Sequence, residues 1–442
     1  MINLRKKIVI FWFRRDLRLF DNVGLYQSLD LARKEKLSFF PLFIFDKQIL
    51  AQLPKNDARV SFIFDQIAQL KTEFKSHKIN LNIFHDTPEF VFNKLAKHYD
   101  IQAILANEDY EPAARKRDEA VEKIGEQHGF KFQTFKDQVI FEKREILTDA
   151  GKPYTVFTAY KNKWLSRLEP IHLKANKIDF SELKTVATEF SIKNKVTLES
   201  MGFERTKIKF PEIHFTNSVL KNYEKSRNYP ALESATSHLG LHLRFGTVSV
   251  RQLVKKSKSV SAVWLSELIW RDFFMQILWN FPHVEKQSFR PKYDQIKWRK
   301  NKSDFELWKT GQTGYPLVDA GMRQLVQTGF MHNRVRMVTA SFLTKHLLHY
   351  WHDGERFFAE HLLDYDLAAN NGNWQWSAGT GCDAAPYFRV FNPQTQLKKF
   401  DGNFEYVKKW IPEFATESYP EPMINHKVAY VRCLQTYREG LK

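Results

Sequence analysis

"IVIFWFRRDLRLFDN", residues 8–22, decides how the first third of this chain is read. Six consecutive apolar residues stop at Arg14 and Arg15. A run of that length is too short for a membrane span or the core of a secretion signal, and fits a strand buried on both faces. Four similar runs follow: "LSFFPLFIF" at 37–45, "INLNIF" at 79–84, "QAILAN" at 102–107 and "FKFQTF" at 130–135. Between them, Val60, Ile63, Phe64, Ile67, Leu70 and Phe74 recur at helical spacing behind an Asp57 cap, and Thr87-Pro88 opens another helix as cap and first-turn residue. Strand–helix alternation predicts an α/β domain with a doubly wound parallel sheet over residues 1–140. No G-x-G-x-x-G follows the first strand, so the usual dinucleotide fingerprint is missing.

From 141 to 210 the text is lysine-rich and weakly periodic, as in a connector with short helices. Beyond 210 the strand signal disappears. "AVWLSELIWRDFFMQILWNF" at 262–281 and "VRMVTASFLTKHLLHYWH" at 335–352 have helical periodicity with broad apolar faces, so residues 211–442 are expected to form an all-helical domain.

The 442 residues are 43% hydrophobic, enough to build two or three cores, and carry a formal charge of +18. A summed positive field attracts polyanions, which makes nucleic acid the first partner to consider, although part of the charge is scattered lysine, as in "KANKIDFSELK". Aromatic residues make up 15%. The only cysteines, Cys382 and Cys433, exclude a disulfide framework, a four-cysteine zinc site and a cubane iron–sulfur cluster within the chain, and no metal site is expected. A reducing, cytoplasmic location is expected.

Five segments carry a resemblance. "FWFRRDLRLFDN" at 11–22, "GKPYTVFTAY" at 151–160, "WLSELIWRDFF" at 264–274, "TGYPLVDAGMRQLVQTGFMHNRVRM" at 313–337 and "DLAANNGNWQW" at 366–376 resemble, in order, the photolyase and cryptochrome family, most closely the bacterial class I cyclobutane pyrimidine dimer photolyases. The resemblance implies a light-driven DNA repair enzyme with FAD in the helical domain and DNA containing pyrimidine dimers as its partner. A monomer without membrane attachment is expected.

For the flavin, the resemblance implies Tyr223, Thr236, Ser237, Leu239, Gly240, Trp264, Arg271, Arg336, Asp364, Asp366 and Asn370. Asp364 and Asp366 precede a helix, where capping is the ordinary role of an aspartate; in the family one of the two acids pairs with the arginine matching Arg336. Asn370 matches the amide that faces the flavin N5 edge and carries both donor and acceptor. Asn371 and Gly372 read as a turn without chemistry. One extra residue between Tyr223 and Thr236, and Gly240 where a serine is common, depart from the family pattern. Trp374, Trp351 and Trp298 match the family's electron-transfer chain.

On the substrate side the resemblance implies Glu267, Trp270, Asn333, Met337 and Trp376 around a flipped dimer. Arg227, Arg334, Arg389 and Gln396 are implied to contact the surrounding DNA. Glu267 lies three residues before Trp270 and is a candidate hydrogen-bond partner or acid toward the pyrimidines. An antenna pigment, a folate, deazaflavin or second flavin, is implied beside "ANEDYEPAARKRD", with Asn107 and Glu108 as candidates. A cryptochrome-like blue-light photosensor is the alternative; such receptors commonly carry a signalling tail, and the chain ends at "YVRCLQTYREGLK". Asn333 stands where (6-4) enzymes present a second histidine, and "GTGCDAAPYFRVFNP" departs from the DASH cryptochrome pattern.

Overall fold

The computed structural model describes residues 5–186 and 196–442; the part of the predicted connector at 187–195 lies outside the described residues. Five strands form the expected sheet: β1 (Lys7–Phe13), β2 (Ser38–Asp46), β3 (Asn82–Asp86), β4 (Asp100–Asn107) and β5 (Lys131–Phe135). All pair in parallel in the order β3-β2-β1-β4-β5, and a two-residue strand, Lys184–Thr185, pairs with β2 at Ser38 and Phe39. Four longer helices connect them: α1 (Val23–Lys34), α2 (Ala58–Ser76), α3 (Pro88–His98) and α4 (Pro112–His128).

The unbroken apolar run of β1 follows from burial on both faces. Ile8, Ile10 and Trp12 pack into a cluster with Val91, Phe92 and Leu95 of α3 and Val121 of α4, while Phe13 meets Phe74 of α2 edge-on at 5.8 Å. Pro41 stands inside β2 without cost because pairing with β3 begins only at Leu42 and the short strand ends opposite Phe39, so no neighbour on that side requires its missing N–H. The Asp57 side chain accepts from Arg59 N and Thr87 Oγ1 from Phe90 N, as capping predicted. Within α2, Ile63 and Phe64 are half-buried, and Phe62 takes the buried place, against Phe210 and Phe245.

Contacts divide the chain into two units. One comprises Met1–Glu142, Leu168–Phe210 and Gly240–Lys256; the other comprises Lys143–Arg167, Pro211–Leu239 and Ser257–Lys442. The predicted connector is therefore shared out. Its helix α5 (Phe157–Arg167) belongs to the helical unit, where Trp164 donates to Asp272 Oδ2 at 3.0 Å. Residues 240–256, read from the sequence as helical-domain text, belong to the sheet unit, because buried Arg251 pairs with Asp21 and Asp137.

At the carboxyl ends of β1 and β4, where a doubly wound sheet usually holds its ligand, protein groups fill the space. Asn107 donates to Asp16 Oδ2 and Asn22 Oδ1, and its oxygen accepts from Gly24 N at 2.8 Å. A Cβ on Gly24 would lie 2.8 Å from the Phe11 ring and 2.9 Å from Asn107 Oδ1, so only glycine fits.

No strand occurs among the described residues beyond 210. The helical unit contains α6 (Asn217–Ser226), α7 (Ala262–Asn280), α8 (Lys302–Thr310), α9 (Pro316–Thr328), α10 (Asn333–Ser341), α11 (Trp351–His361), α12 (Leu367–Ala378), α13 (Pro393–Phe400) and α14 (His426–Gly440). Its core gathers Trp308, Tyr315, Phe342, Trp351, Phe358 and Trp374.

Candidate functional site

Helix α7 starts at Ser261, whose hydroxyl accepts from Trp264 N. Trp264, Glu267 and Arg271 follow at i, i+3 and i+7 and so share one stripe. Trp264 is buried against Phe215, with ring centres 4.8 Å apart. Trp270 lies flat on Phe157 of α5, at 3.6 Å and 7°, which fixes one ring face and makes the indole a rigid wall.

Glu267 and Arg227, assigned separately to dimer and DNA, meet as an ion pair. Burial pushes the Glu267 carboxyl up and Arg227 opposes it. The Arg227 guanidinium also lies 5.1 Å above the Tyr223 ring. Arg334 is held by Asn228 Oδ1 at 2.7 Å and stands over the Phe400 ring at 4.5 Å. Its pKa is lowered by burial and by its like-charged neighbours Arg227 and Arg389, so three DNA-assigned arginines share one field. Buried Lys345 donates to the Arg389 carbonyl at 2.9 Å and anchors that segment.

On α10, the Asn333 amide reaches the Met337 sulfur four residues on, while Arg336 turns the other way. Arg336 Nη2 donates to Asp364 Oδ2 at 2.9 Å and Nε to the Met331 carbonyl at 2.8 Å. Asp364 is thus the partner of the arginine, and its other oxygen, Oδ1, is buried without a hydrogen-bond partner. Asp366 caps α12, accepting from Ala369 N at 3.3 Å.

Both Nδ2 hydrogens of Asn370 are used on Glu355, at its carbonyl (3.1 Å) and Oε1 (2.8 Å), leaving the amide oxygen to offer. Burial lifts the Glu355 carboxyl to about 7. Asn371 and Gly372, expected to form a turn, lie inside α12. Asn371 donates to the Val284 carbonyl at 2.9 Å, and a Cβ on Gly372 would meet the Phe274 ring at 2.1 Å, so helix packing is what these residues serve.

Trp374 and Trp351 are buried and Trp298 is half-buried. No ring contact joins the three among the described residues; Tyr350 touches both Trp351, at 5.8 Å, and Trp298, at 6.0 Å. Trp376 is half-buried, two residues beyond Trp374 on α12. Gln396 presents a buried, unpartnered Oε1 on α13. Thr236, Ser237 and Leu239 follow a short helical turn at Glu233–Ala235; Gly240 opens helix Gly240–Arg244 and clusters with the sheet unit.

Asn107 does not suit a pigment: both of its N–H groups are taken inside the network at β1 and β4. Glu108 accepts from Thr134 Oγ1. Residues that the sequence reading missed are Glu355, Asn228, Phe157 and Tyr350. Asn228 adjoins Arg227 and was within reach of inspection; Glu355 acts across two helices, which leaves no local trace.

A parallel-sheet unit and a helical unit with an arginine–carboxylate pair, an amide presenting only its oxygen and an aromatic wall define a class of two-unit α/β-plus-helical proteins whose helical unit carries the polar, aromatic site. Family comparison makes it specific. Residues 9–178 match the family described as DNA photolyase, and residues 264–417 match the FAD binding domain of DNA photolyase. Deoxyribodipyrimidine photo-lyases of Synechococcus sp. and Escherichia coli are each 34% identical, the first over 95% of this chain and 94% of its own length, the second over 98% and 99%. The structure of a bacterial class III photolyase from Agrobacterium tumefaciens superposes with a TM-score of 0.86 at 30% identity, covering 99% of this chain and 98% of that one. An archaeal photolyase from Sulfolobus tokodaii with two FAD molecules gives 0.81 at 34% identity, covering 98% and 100%. The chain belongs to the DNA photolyase family. Among the described residues no helix is long and apolar enough to cross a membrane.

Proposed function

We propose that this protein repairs cyclobutane pyrimidine dimers in DNA by light-driven electron transfer, working as a cytoplasmic monomer with FAD in its helical unit. The observation that carries the reading is Asp364. One of its oxygens is held by Arg336, and the other is buried with nothing to accept from, an arrangement that a protein keeps where a ligand completes it. The residues present fit a flavin: a cation to stabilise negative charge, a free acceptor on Asp364, and the Asn370 oxygen for an N–H donor. Held by Arg336, Asp364 and Asn370, a fully reduced FAD would supply light-driven one-electron donor chemistry with no net redox change.

The chain does the rest by positioning. Arg227, Arg334 and Arg389 hold the strand through its phosphates without reading sequence. Trp270, braced by Phe157, and Trp376 grip a flipped pyrimidine pair, which leaves the stack at low cost because it is already poorly stacked. Released from Arg227, Glu267 can accept from a pyrimidine imide N–H or, protonated as burial favours, donate to a pyrimidine carbonyl. Trp374, Trp351 and Trp298 return oxidised FAD to its working state under light.

The test is repair by illuminated, reduced holoprotein of oligonucleotides carrying either a cyclobutane dimer or a (6-4) product. Repair of the dimer alone is expected; efficient (6-4) repair, or failure to bind about one FAD per chain after reconstitution, overturns the reading.

A further inference from the structure

We propose that His332 is a further cofactor-binding residue, whose Nε2–H donates to a phosphate oxygen of the FAD pyrophosphate. The inference rests on the FAD reading above and deepens it by giving the anionic part of the cofactor a partner.

His332 caps α10. It is 4% exposed, and its Nδ1 accepts from Arg334 N at 3.1 Å. A ring nitrogen that accepts carries no proton, so in the neutral imidazole the hydrogen sits on Nε2. Burial, with Arg336, Arg334, His238 and Arg227 adding to it, pushes the pKa down to about 3. The ring is therefore neutral near pH 7 and its Nε2–H is a fixed donor.

That donor has no acceptor in the protein: Nε2 is buried without a hydrogen-bond partner. A buried N–H left unmet weakens the fold, and a chain keeps one where a ligand completes it. The surroundings choose the ligand. The charges that act most strongly on the ring are all basic, so an anionic oxygen suits the place better than a neutral one.

The neighbours point to the cofactor. His238 stands between Ser237 and Leu239, in the segment expected to hold FAD, and its ring meets Phe330 edge-on at 5.1 Å. The Arg336 guanidinium lies over the same Phe330 ring at 5.9 Å. His332 thus has the FAD segment and the FAD arginine acting on it together, all within the helical unit. Asp364, paired with Arg336, carries the complementary need, a buried acceptor with nothing to accept from. A ligand that satisfies both must offer donors at one part and anionic oxygens at another. FAD does, with hydroxyl and N–H groups on its ribityl and ring portions and a pyrophosphate beyond them.

Two substitutions separate the two nitrogens. His332→Asn keeps an oxygen at the place of Nδ1, so the helix cap survives, and has no group at Nε2. His332→Gln does the reverse, with an amide donor near Nε2 and no cap. Equilibrium titration of the full-length protein with FAD should find His332→Asn weakened about 10- to 150-fold, as for the loss of a charge-assisted hydrogen bond, and His332→Gln close to wild type. Stability in urea without FAD should rank the other way, with His332→Asn the more stable of the two. In the FAD-loaded protein, phosphorus nuclear magnetic resonance should show a displaced pyrophosphate signal in His332→Asn while the flavin absorption band stays in place. Unchanged FAD affinity in His332→Asn overturns the proposal, and so does weakened affinity with both phosphorus signals at their wild-type positions. A loss confined to DNA binding also overturns it, and assigns the donor to a strand phosphate. A wild type that takes up no FAD is a different result, because it removes the FAD reading itself and this proposal with it.

Discussion

Asp137 in the sheet unit and Asp364 in the helical unit are both paired with arginine, and they differ in what is left over. Asp137 Oδ1 accepts from Arg18, Arg251 and Val23 N, and its Oδ2 from Arg18, both Arg18 contacts at 2.8 Å. Asp16 is likewise closed, by Arg14 N and Asn107. Asp364 spends one oxygen on Arg336 and leaves the other buried and empty-handed. A closed carboxylate network holds a fold together; an open one is a place for something else to bind. The contrast also explains why the polar groups just beyond β1 and β4, Asp16 and Asn107, serve the fold, while the open acceptor lies in the helical unit.

The strongest way to break the comparison is Asp137→Ala, which strands the Arg18 and Arg251 guanidiniums in a buried site. Unfolding of the full-length protein in urea should show a loss of about 3–5 kcal/mol; a change near zero would mean that the network does not hold the sheet unit. Asp364→Asn should do the opposite, leaving stability nearly unchanged while FAD binds about 10- to 150-fold more weakly, as expected for a charge-assisted hydrogen bond of roughly 1.5–3 kcal/mol. If equilibrium titration finds FAD affinity intact, the open oxygen has no ligand role. Trp376→Ala sharpens the substrate side. Binding of dimer-containing DNA should weaken by about 1–3 kcal/mol, the value of a base stacked on an aromatic, while binding of undamaged DNA should hold steady on its phosphate contacts. Equal losses for both would remove Trp376 from the pocket.

Glu355 gives the effect that appears only as pH is varied. Its folded pKa, about 7, lies above the ordinary value of 4.5. The folded state therefore holds more proton than the unfolded one between those values, and stability contributed by this group falls as pH rises from about 4.5 to 7, by no more than about 1.4 kcal/mol per pH unit. Glu355→Gln should flatten that slope in denaturation measured across the window. A slope unchanged by the substitution would assign it to other groups.

Much of this could be read along the chain. The five apolar runs became strands because burial on both faces demands continuous apolarity, and Asp57 and Thr87 cap helices because their partners are two or three residues away. The first-choice misreadings were also local in origin. "NNG" resembles a turn, yet Gly372 is required by the Phe274 ring packed on α12. Phe62, rather than Phe64, is buried because its partners, Phe210 and Phe245, come from distant sequence.

The sequence alone determined the parallel sheet, the helical second part, and which residue types the site has to work with, since periodicity and capping are interactions between near neighbours. Tertiary structure decided the pairings: Arg227 with Glu267, Arg336 with Asp364 rather than Asp366, Asn370 with Glu355, and Tyr350 between two tryptophans. Each joins residues on different helices or on the loops between them, and charge, proton affinity and ring contact depend on distance through space, which spacing along the chain does not encode.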